Sequence, residues 1–372
     1  MKAAQYGDWR VIERFYCLGR RESGIVARKA SSTGGVSVCH PPFQHRRREG
    51  VNVTNIVLTR RDFARLALAG APASLLLARQ PLSAFAKMDT RINGVLIGAI
   101  TYSFRSMNAA DIIKAFTDIG LGEMELMSNH AEQLAGAPAG RGGGGRRGEM
   151  TPEQQAQRDA AVKALRDWRL SATDATFAPV RKKITDAGID LKLLCYNMNV
   201  RTTQDDEIEY AFLMAKALGV SAMSTSTQVS MAKRLAPFAE KHKMRVGFHG
   251  HANTTNPDEV ATPESFEAVM AASKYLGANL DVGHYTEAGY DPIPFLEKHH
   301  DRITNLHLKD MKKATNGGGY TPFGRGDAPL KAVLKLVQKN KWDIPVNIEF
   351  EYEGDPMVEV PKCLAYVKEA LA

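Results

Sequence analysis

Cysteine is scarce in this chain and cannot staple it. Four cysteines occur in 372 residues; Cys17 and Cys39 lie near the N-terminus, leaving Cys195 and Cys363 in the rest. Two distant cysteines make no disulfide framework, and Cys195, which ends an apolar run, reads as a core residue. Spanning length is also missing. The apolar run Leu66–Ala78 holds 13 residues, against the roughly 20 that cross a bilayer, so no membrane anchor is expected. Charge of one sign is confined to one end. The formal charge is +8, but residues 1–86 hold 14 Lys and Arg against 5 Asp and Glu, leaving 35 against 36 in residues 87–372. A body of net charge −1 has no general attraction for phosphate backbones, which excludes a nucleic-acid partner. No strand candidate is followed by a glycine phosphate fingerprint, which leaves a doubly wound nucleotide-binding sheet unsupported.

What the N-terminal stretch does have is an address. Thr59-Arg60-Arg61-Asp62-Phe63-Ala64 precedes the apolar run, and Ala84-Phe85-Ala86 follows it. Paired arginines, a moderate apolar core and a small-residue cleavage site are the parts of a twin-arginine export signal, in order. Residues 51–86 are therefore expected to engage the twin-arginine export machinery and to be cleaved after Ala86, giving a periplasmic or exported protein. Residues 1–50, with Arg46-Arg47-Arg48 and no sustained apolar period, fit no structural template. They are expected to be a disordered arm or a misassigned upstream extension.

Residues 87–372 repeat one unit. Short apolar runs at Val95–Thr101, Gly122–Met127, Leu191–Cys195, Ala222–Ser226, Arg245–His249, Ala278–Asp281, Ile303–Leu308 and Val346–Phe350 read as strands. Helical patterns alternate with them at Ala109–Ile119, Pro152–Ala187, Gln204–Leu218, Ser230–His242, Pro263–Tyr275, Pro292–His299, Pro329–Asn340 and Met357–Ala370. Thr262-Pro263 and Asp291-Pro292 put a capping residue before a proline at the first turn. Strands alternating with helices imply right-handed crossovers and a parallel sheet. Eight such units predict a single α/β domain, a closed (β/α)8 TIM barrel. One insertion, near 133–155, carries Gly142–Gly145 flanked by Arg141, Arg146 and Arg147. It lacks a Gly-Lys-Ser/Thr ending and reads as a mobile lid or tip.

The chemistry collects at strand ends. The fifth strand ends Gly247-Phe248-His249-Gly250-His251, and the sixth Leu280-Asp281-Val282-Gly283-His284. The seventh reads Asn305-Leu306-His307-Leu308-Lys309-Asp310, and the eighth Asn347-Ile348-Glu349-Phe350-Glu351. The second carries Glu123 and Glu125, with His130 just beyond. A barrel brings these ends to one mouth, where imidazoles and carboxylates together form a divalent-metal site. A lone histidine is usually a satisfied core residue. Four consecutive strands ending this way are hard to obtain from packing alone.

In this order and spacing the residues resemble the xylose isomerase-like barrels, the sugar phosphate isomerase/epimerase family. The likeness runs from about Ile97 to Ala370. It is carried by Gly122–Leu126 with His130, Phe248–Asn253, Leu280–His284, Leu306–Asp310, Phe323–Asp327 and Ile348–Glu351. The resemblance implies one divalent ion, Mn²⁺ before Zn²⁺, Mg²⁺ or Co²⁺, held by four ligands. Asp281, His307 and Glu349 match the family's ligands; the first ligand, usually glutamate, falls on His249, with His251 as the alternative. Glu349 and Glu351 share a face of the strand, and motif alignment selects Glu349. The resemblance further implies substrate contacts from His284, His251, Arg325, Lys309 and His130, and catalytic roles for Glu349 and His249; Glu125 is expected as a catalytic acid or base, with a structural carboxylate in the barrel interior as the alternative. Relatives form dimers or tetramers, so a homo-oligomer is an expectation.

An ion beside a carbonyl acidifies the neighbouring C–H, and a carboxylate or imidazole takes the proton. Returning it elsewhere isomerises or epimerises a sugar. Losing a β-substituent makes the enzyme a lyase or hydratase acting on a 3-keto sugar or glycoside. The expected enzyme is a metal-dependent sugar isomerase/epimerase; His249 in place of a glutamate weakens the symmetrical pair of bases that epimerising relatives use and raises the lyase or hydratase as the alternative. An exported sugar-binding protein without catalysis and a DNA-repair endonuclease are the remaining classes. The near-neutral body and the export signal argue against the endonuclease.

Overall fold

The computed structural model describes residues 87–139 and 151–372. The N-terminal extension, the twin-arginine segment and the glycine-rich part of the insertion lie outside the described residues. Among the described residues, eight strands run parallel and close on themselves: β1 (Val95–Ile100), β2 (Glu123–Met127), β3 (Asp190–Cys195), β4 (Ala222–Thr225), β5 (Arg245–His249), β6 (Leu276–Asp281), β7 (Ile303–Leu308) and β8 (Val346–Ile348). Closure is made by β8, which sets Val346 opposite Leu306 of β7 on one side and opposite Ile97 of β1 on the other. The fold is the expected TIM barrel.

The helices surround it: α1 (Ala109–Ile119), α2 (Ser128–Leu134), α3 (Pro152–Ser171), α4 (Asp174–Asp186), α5 (Asp205–Leu218), α6 (Met231–His242), α7 (Pro263–Ala272), α8 (Val282–Glu287), α9 (Pro292–His299), α10 (Leu330–Asn340) and α11 (Pro356–Leu371). Local chemistry sets their ends. Asn108 accepts from the Asp111 N–H to open α1, and Gly120 closes it at φ 83°, a left-handed conformation that costs glycine little. Thr262 caps α7 ahead of Pro263, and Asp355 caps α11 ahead of Pro356.

Three elements differ from expectation. The single helix expected over 152–187 is two, because Ala172 is extended and Thr173 opens α4 with its own capping box. Helices α2 and α8, which the sequence pattern did not show, spring directly from the ends of β2 and β6. Strand β8 stops at Ile348, because Phe350 donates its N–H to Ser103 Oγ at 2.9 Å and leaves the ladder.

Strand alternation decides what enters the barrel. Leu306 and Leu308 join the outer hydrophobic core beneath the helices, while Asn305 and His307 point inward and bond to Glu125. The interior is polar for a TIM barrel, which usually fills its axis with branched aliphatic layers. Glu123, Glu125, Ser224, Asn279, Asn305 and Asn347 are all buried. Asn347 Nδ2 donates to Glu123 Oε2 at 2.5 Å. Gly98 opposite makes room, since a Cβ there would fall inside the Glu123 carboxylate. Burial and the nearby Glu125 push the Glu123 carboxyl well above the usual range.

Candidate metal centre

Four strands end at one point. His249 and Asp281 are the last residues of β5 and β6, His307 is next to last in β7, and Glu349 follows β8. One ligand-type atom from each lies within 4.8 Å of the others, and all four residues are buried. Asp281 also opens α8: its Oδ1 accepts the His284 N–H at 2.8 Å. Its Oδ2 is left facing the cluster, 4.0 Å from His249 Nε2. The His307 imidazole is gripped on both nitrogens, by Glu349 Oε2 at 2.8 Å from Nδ1 and Glu125 Oε2 at 2.7 Å from Nε2.

Electrostatics separate the two imidazoles. Burial and the proximity of His307 hold His249 well below the usual histidine range, so its ring is neutral and has a lone pair to give. Burial would also lower His307, but the carboxylates of Glu125 and Glu349 outweigh it and hold its pKa well above the usual value. Burial would raise Glu349, yet the Lys309 ammonium and His307 keep it well below the usual carboxylate range. His249 Nδ1 is buried with no hydrogen-bond partner, while Asp281 Oδ2 meets the Lys309 ammonium at 3.0 Å and His249 Nε2 at 4.0 Å. Two imidazoles and two carboxylates converging in one buried cluster, with His249 Nδ1 lacking any partner, fit a divalent cation. Glu125 then supplies the carboxylate behind a ligating histidine that such sites use to fix the ring.

Above the cluster lies a cavity of about 320 Å³, within the size range of small-molecule sites. His249, His251, His284, His307, Lys309, Glu349 and Glu351 line it with Tyr102, Tyr320 and Cys195. His251 Nδ1 is 2.7 Å from Glu259 Oε1, which leaves Nε2 free for the cavity. His284 packs edge-on to His251 and Tyr320. The Lys309 ammonium is buried among carboxylates, 3.0 Å from Asp281, 2.9 Å from Glu349 and 2.5 Å from Glu351. Burial pushes the Cys195 thiol well above its usual value, consistent with an inert core thiol.

Three residues expected here stand elsewhere. Glu125 does not line the cavity. It is fully buried beneath it, accepting from Ser224 Oγ and Asn305 Nδ2, so it holds His307 and has no path to a substrate. His130 is turned aside because α2 starts at Ser128. Its Nδ1 meets Thr101 Oγ1 at 2.9 Å and its ring borders a separate cavity beside Arg105 and Arg169. Arg325 is exposed and does not line the cavity. Its turn is shaped by Asp310, whose carboxylate accepts the N–H groups of Gly324, Arg325, Gly326 and Ala328. Conversely, Tyr102, Tyr320 and Glu259 were not read from the sequence. Tyr102 follows the end of β1 and was legible by the strand-end rule. Glu259 and Tyr320 lie in connections that carry no such signal.

Residues 224–370, from within β4 to near the C-terminus, match the family model for the xylose isomerase-like TIM barrel. Over that span the chain is similar to this family. The matched span contains all four clustered residues. Over 159 residues, 37% of the chain, it is 27% identical to an inosose dehydratase of Clostridium tetani and covers 52% of that protein. The chain thus spans about half the length of the curated relatives it matches. Two solved structures share the fold. One is a probable 3-DHS dehydratase, AsbF, of Bacillus anthracis, at TM-score 0.52 and 15% identity over 73% of this chain and 98% of that one. The other is the IOLI protein with a binding zinc atom, at TM-score 0.52 and 12% identity over 74% and 97%.

Proposed function

We propose that this protein is a divalent-metal-dependent enzyme that enolises a polyhydroxylated carbonyl compound and then expels a β-substituent, as a dehydratase or related lyase. The observation that carries the reading is the His249–Asp281–His307–Glu349 cluster at the floor of a sugar-sized cavity. Bound there, a divalent ion would polarise a substrate carbonyl and stabilise the negative charge that develops on its oxygen.

The chain's own groups do the rest. Glu349, held anionic by Lys309 and His307, takes the proton from the carbon beside the carbonyl. Lys309 Nζ, 2.9 Å from Glu349 Oε2, steadies that carboxylate. His251, fixed by Glu259 through Nδ1, presents Nε2 to protonate the departing oxygen. His249 occupies the side of the cluster where a second carboxylate base would allow epimerisation, and a neutral imidazole serves there as a ligand. The similarity to an inosose dehydratase supports elimination over isomerisation or epimerisation. Mn²⁺ is the ion proposed, and export through the twin-arginine signal is proposed with it.

The test is to load the purified protein with Mn²⁺, supply keto-inositols and 3-keto glycosides in deuterated solvent, and follow both α-deuteration and the absorbance of an unsaturated ketone. Deuteration with a rising enone band is the expected result. Deuteration with an epimer and no enone would make the protein an epimerase. No exchange with any substrate would sink the enolisation itself.

A further inference from the structure

Substrate charge is a separate question from reaction type. Among the described residues lining the cavity, Lys309 is the one lysine or arginine. An ammonium has three N–H donors, and here it has three carboxylate partners, Asp281, Glu349 and Glu351. Its side chain is 3% exposed, so no donor is left for an anionic group on a substrate. The nearby guanidinium is also committed. Arg105 donates to the carbonyl oxygens of Phe350 and Glu351 and lies 5.1 Å from the Tyr102 ring centre.

One ammonium against three carboxylates leaves two negative charges, which a divalent ion balances. Glu125 behind His307 adds negative charge below the floor. Among the described residues, a phosphate or carboxylate entering the cavity therefore meets no unpaired lysine or arginine. It meets Glu351 instead, whose side chain is 14% exposed against 6% for Glu349 and 0% for Asp281. Like charges brought together in a confined, poorly hydrated site repel strongly.

We propose that the Lys309–Glu351 pair makes this site selective for an uncharged polyhydroxylated carbonyl compound over its phosphorylated or carboxylated counterparts. The proposal rests on the enolisation reading for the substrate's functional groups, but its test does not require turnover. The full chain is loaded with Mn²⁺, and the relaxation of ligand protons by the bound ion is measured for matched pairs, such as a ketohexose and its 6-phosphate. The uncharged member is expected to bind at least about tenfold more tightly. Glu351→Gln removes one negative charge and releases one Lys309 donor. It should shrink the preference by about tenfold, chiefly by tightening the phosphorylated member. Tighter binding of the phosphorylated sugar by the unaltered protein, binding of neither member, or an unchanged preference in Glu351→Gln would each overturn the proposal. Should that variant fail to fold or to load Mn²⁺, inorganic phosphate is titrated against the uncharged ligand on the unaltered protein. Displacement at equal concentration overturns the proposal; persistence of the ligand supports it. Deuterium exchange on the same samples keeps the two readings apart, because a ligand that binds without exchanging removes the enolisation and leaves the selectivity standing.

Discussion

Replacing Glu125 by glutamine tests the metal centre without touching the cavity. The carboxylate lies wholly beneath the floor, with Oε1 accepting from Ser224 Oγ and Oε2 accepting from Asn305 Nδ2 at 2.9 Å and facing His307 Nε2 at 2.7 Å. Glutamine has the same shape and keeps an acceptor for Asn305 and His307. It removes the negative charge that aims and enriches the His307 ring. Loss of such a partner behind a ligating histidine weakens metal binding by about 10- to 100-fold, or roughly 1.4–2.8 kcal/mol. The expected result of Mn²⁺ titration calorimetry is a fall of that size, with urea unfolding of the metal-free protein recorded alongside to separate lost affinity from lost fold.

The pH dependence makes this sharper. Burial disfavours a charged His307, but Glu125 and Glu349 raise its pKa well above the usual histidine value. An incoming ion must therefore displace a proton, and affinity rises with pH until that pKa is passed. Without the Glu125 charge the pKa drops, and the proton competes less. The deficit of the variant should then be widest at high pH and narrow as pH falls. A dissociation constant within about threefold of the original, or a deficit independent of pH, would refute the claim that Glu125 acts through a ligating His307.

Other perturbations probe the supporting structure. Gly98→Ala places a methyl group inside the Glu123 carboxylate and should cost about 2–3 kcal/mol of stability by overpacking, read by urea unfolding. Burial lowers His130 from 6.5 to about 4, so the folded protein resists a proton that the unfolded chain accepts. Stability is complete above pH 6.5 and lost as pH falls through that interval, by about 3 kcal/mol in all. His130→Gln should flatten that part of the profile in unfolding measured between pH 7 and 4, whereas an unchanged acid slope would contradict it. Asp310→Ala leaves four loop N–H groups without their acceptor. It should cost about 2–4 kcal/mol and speed amide hydrogen exchange over Gly324–Ala328; unaltered exchange there would show that the turn holds itself.

The barrel was legible because its signals are local. Short apolar runs, capping residues before proline, and the eightfold alternation of strand and helix each follow from nearby residues. Closure into a parallel ring then follows from handedness and count. The juxtaposition of His249, Asp281, His307 and Glu349 was legible for a related reason. In a parallel barrel every strand delivers its C-terminal end to the same mouth, so chemistry written at four strand ends is written in one place. The helix boundary at Ala172 was missed although its signal is local: Thr173 and Asp174, a capping residue and an acid of the first turn, mark a new helix start inside the 152–187 stretch.

Depth and direction were harder to read. Alternation tells which residues point inward but not how far down the axis they stand, and each inward step along a strand is roughly 6.6 Å. Glu125 obeys the alternation as faithfully as Glu349, yet it lies beneath His307, whereas Glu349 borders the cavity. His130 failed for a different reason. It lies three residues past the end of β2, where an irregular loop would have carried it over the mouth. Instead α2 begins at once, and its rotation swings the imidazole onto Thr101. Lys309 shows the converse. Its side chain continues the inward series Asn305, His307, Lys309, so its presence was readable, but its three carboxylate partners come from β6 and the end of β8. The charge a substrate meets is therefore set by a pairing between strands, and a single-strand pattern cannot reveal whether an inward lysine offers its ammonium or has already given it away.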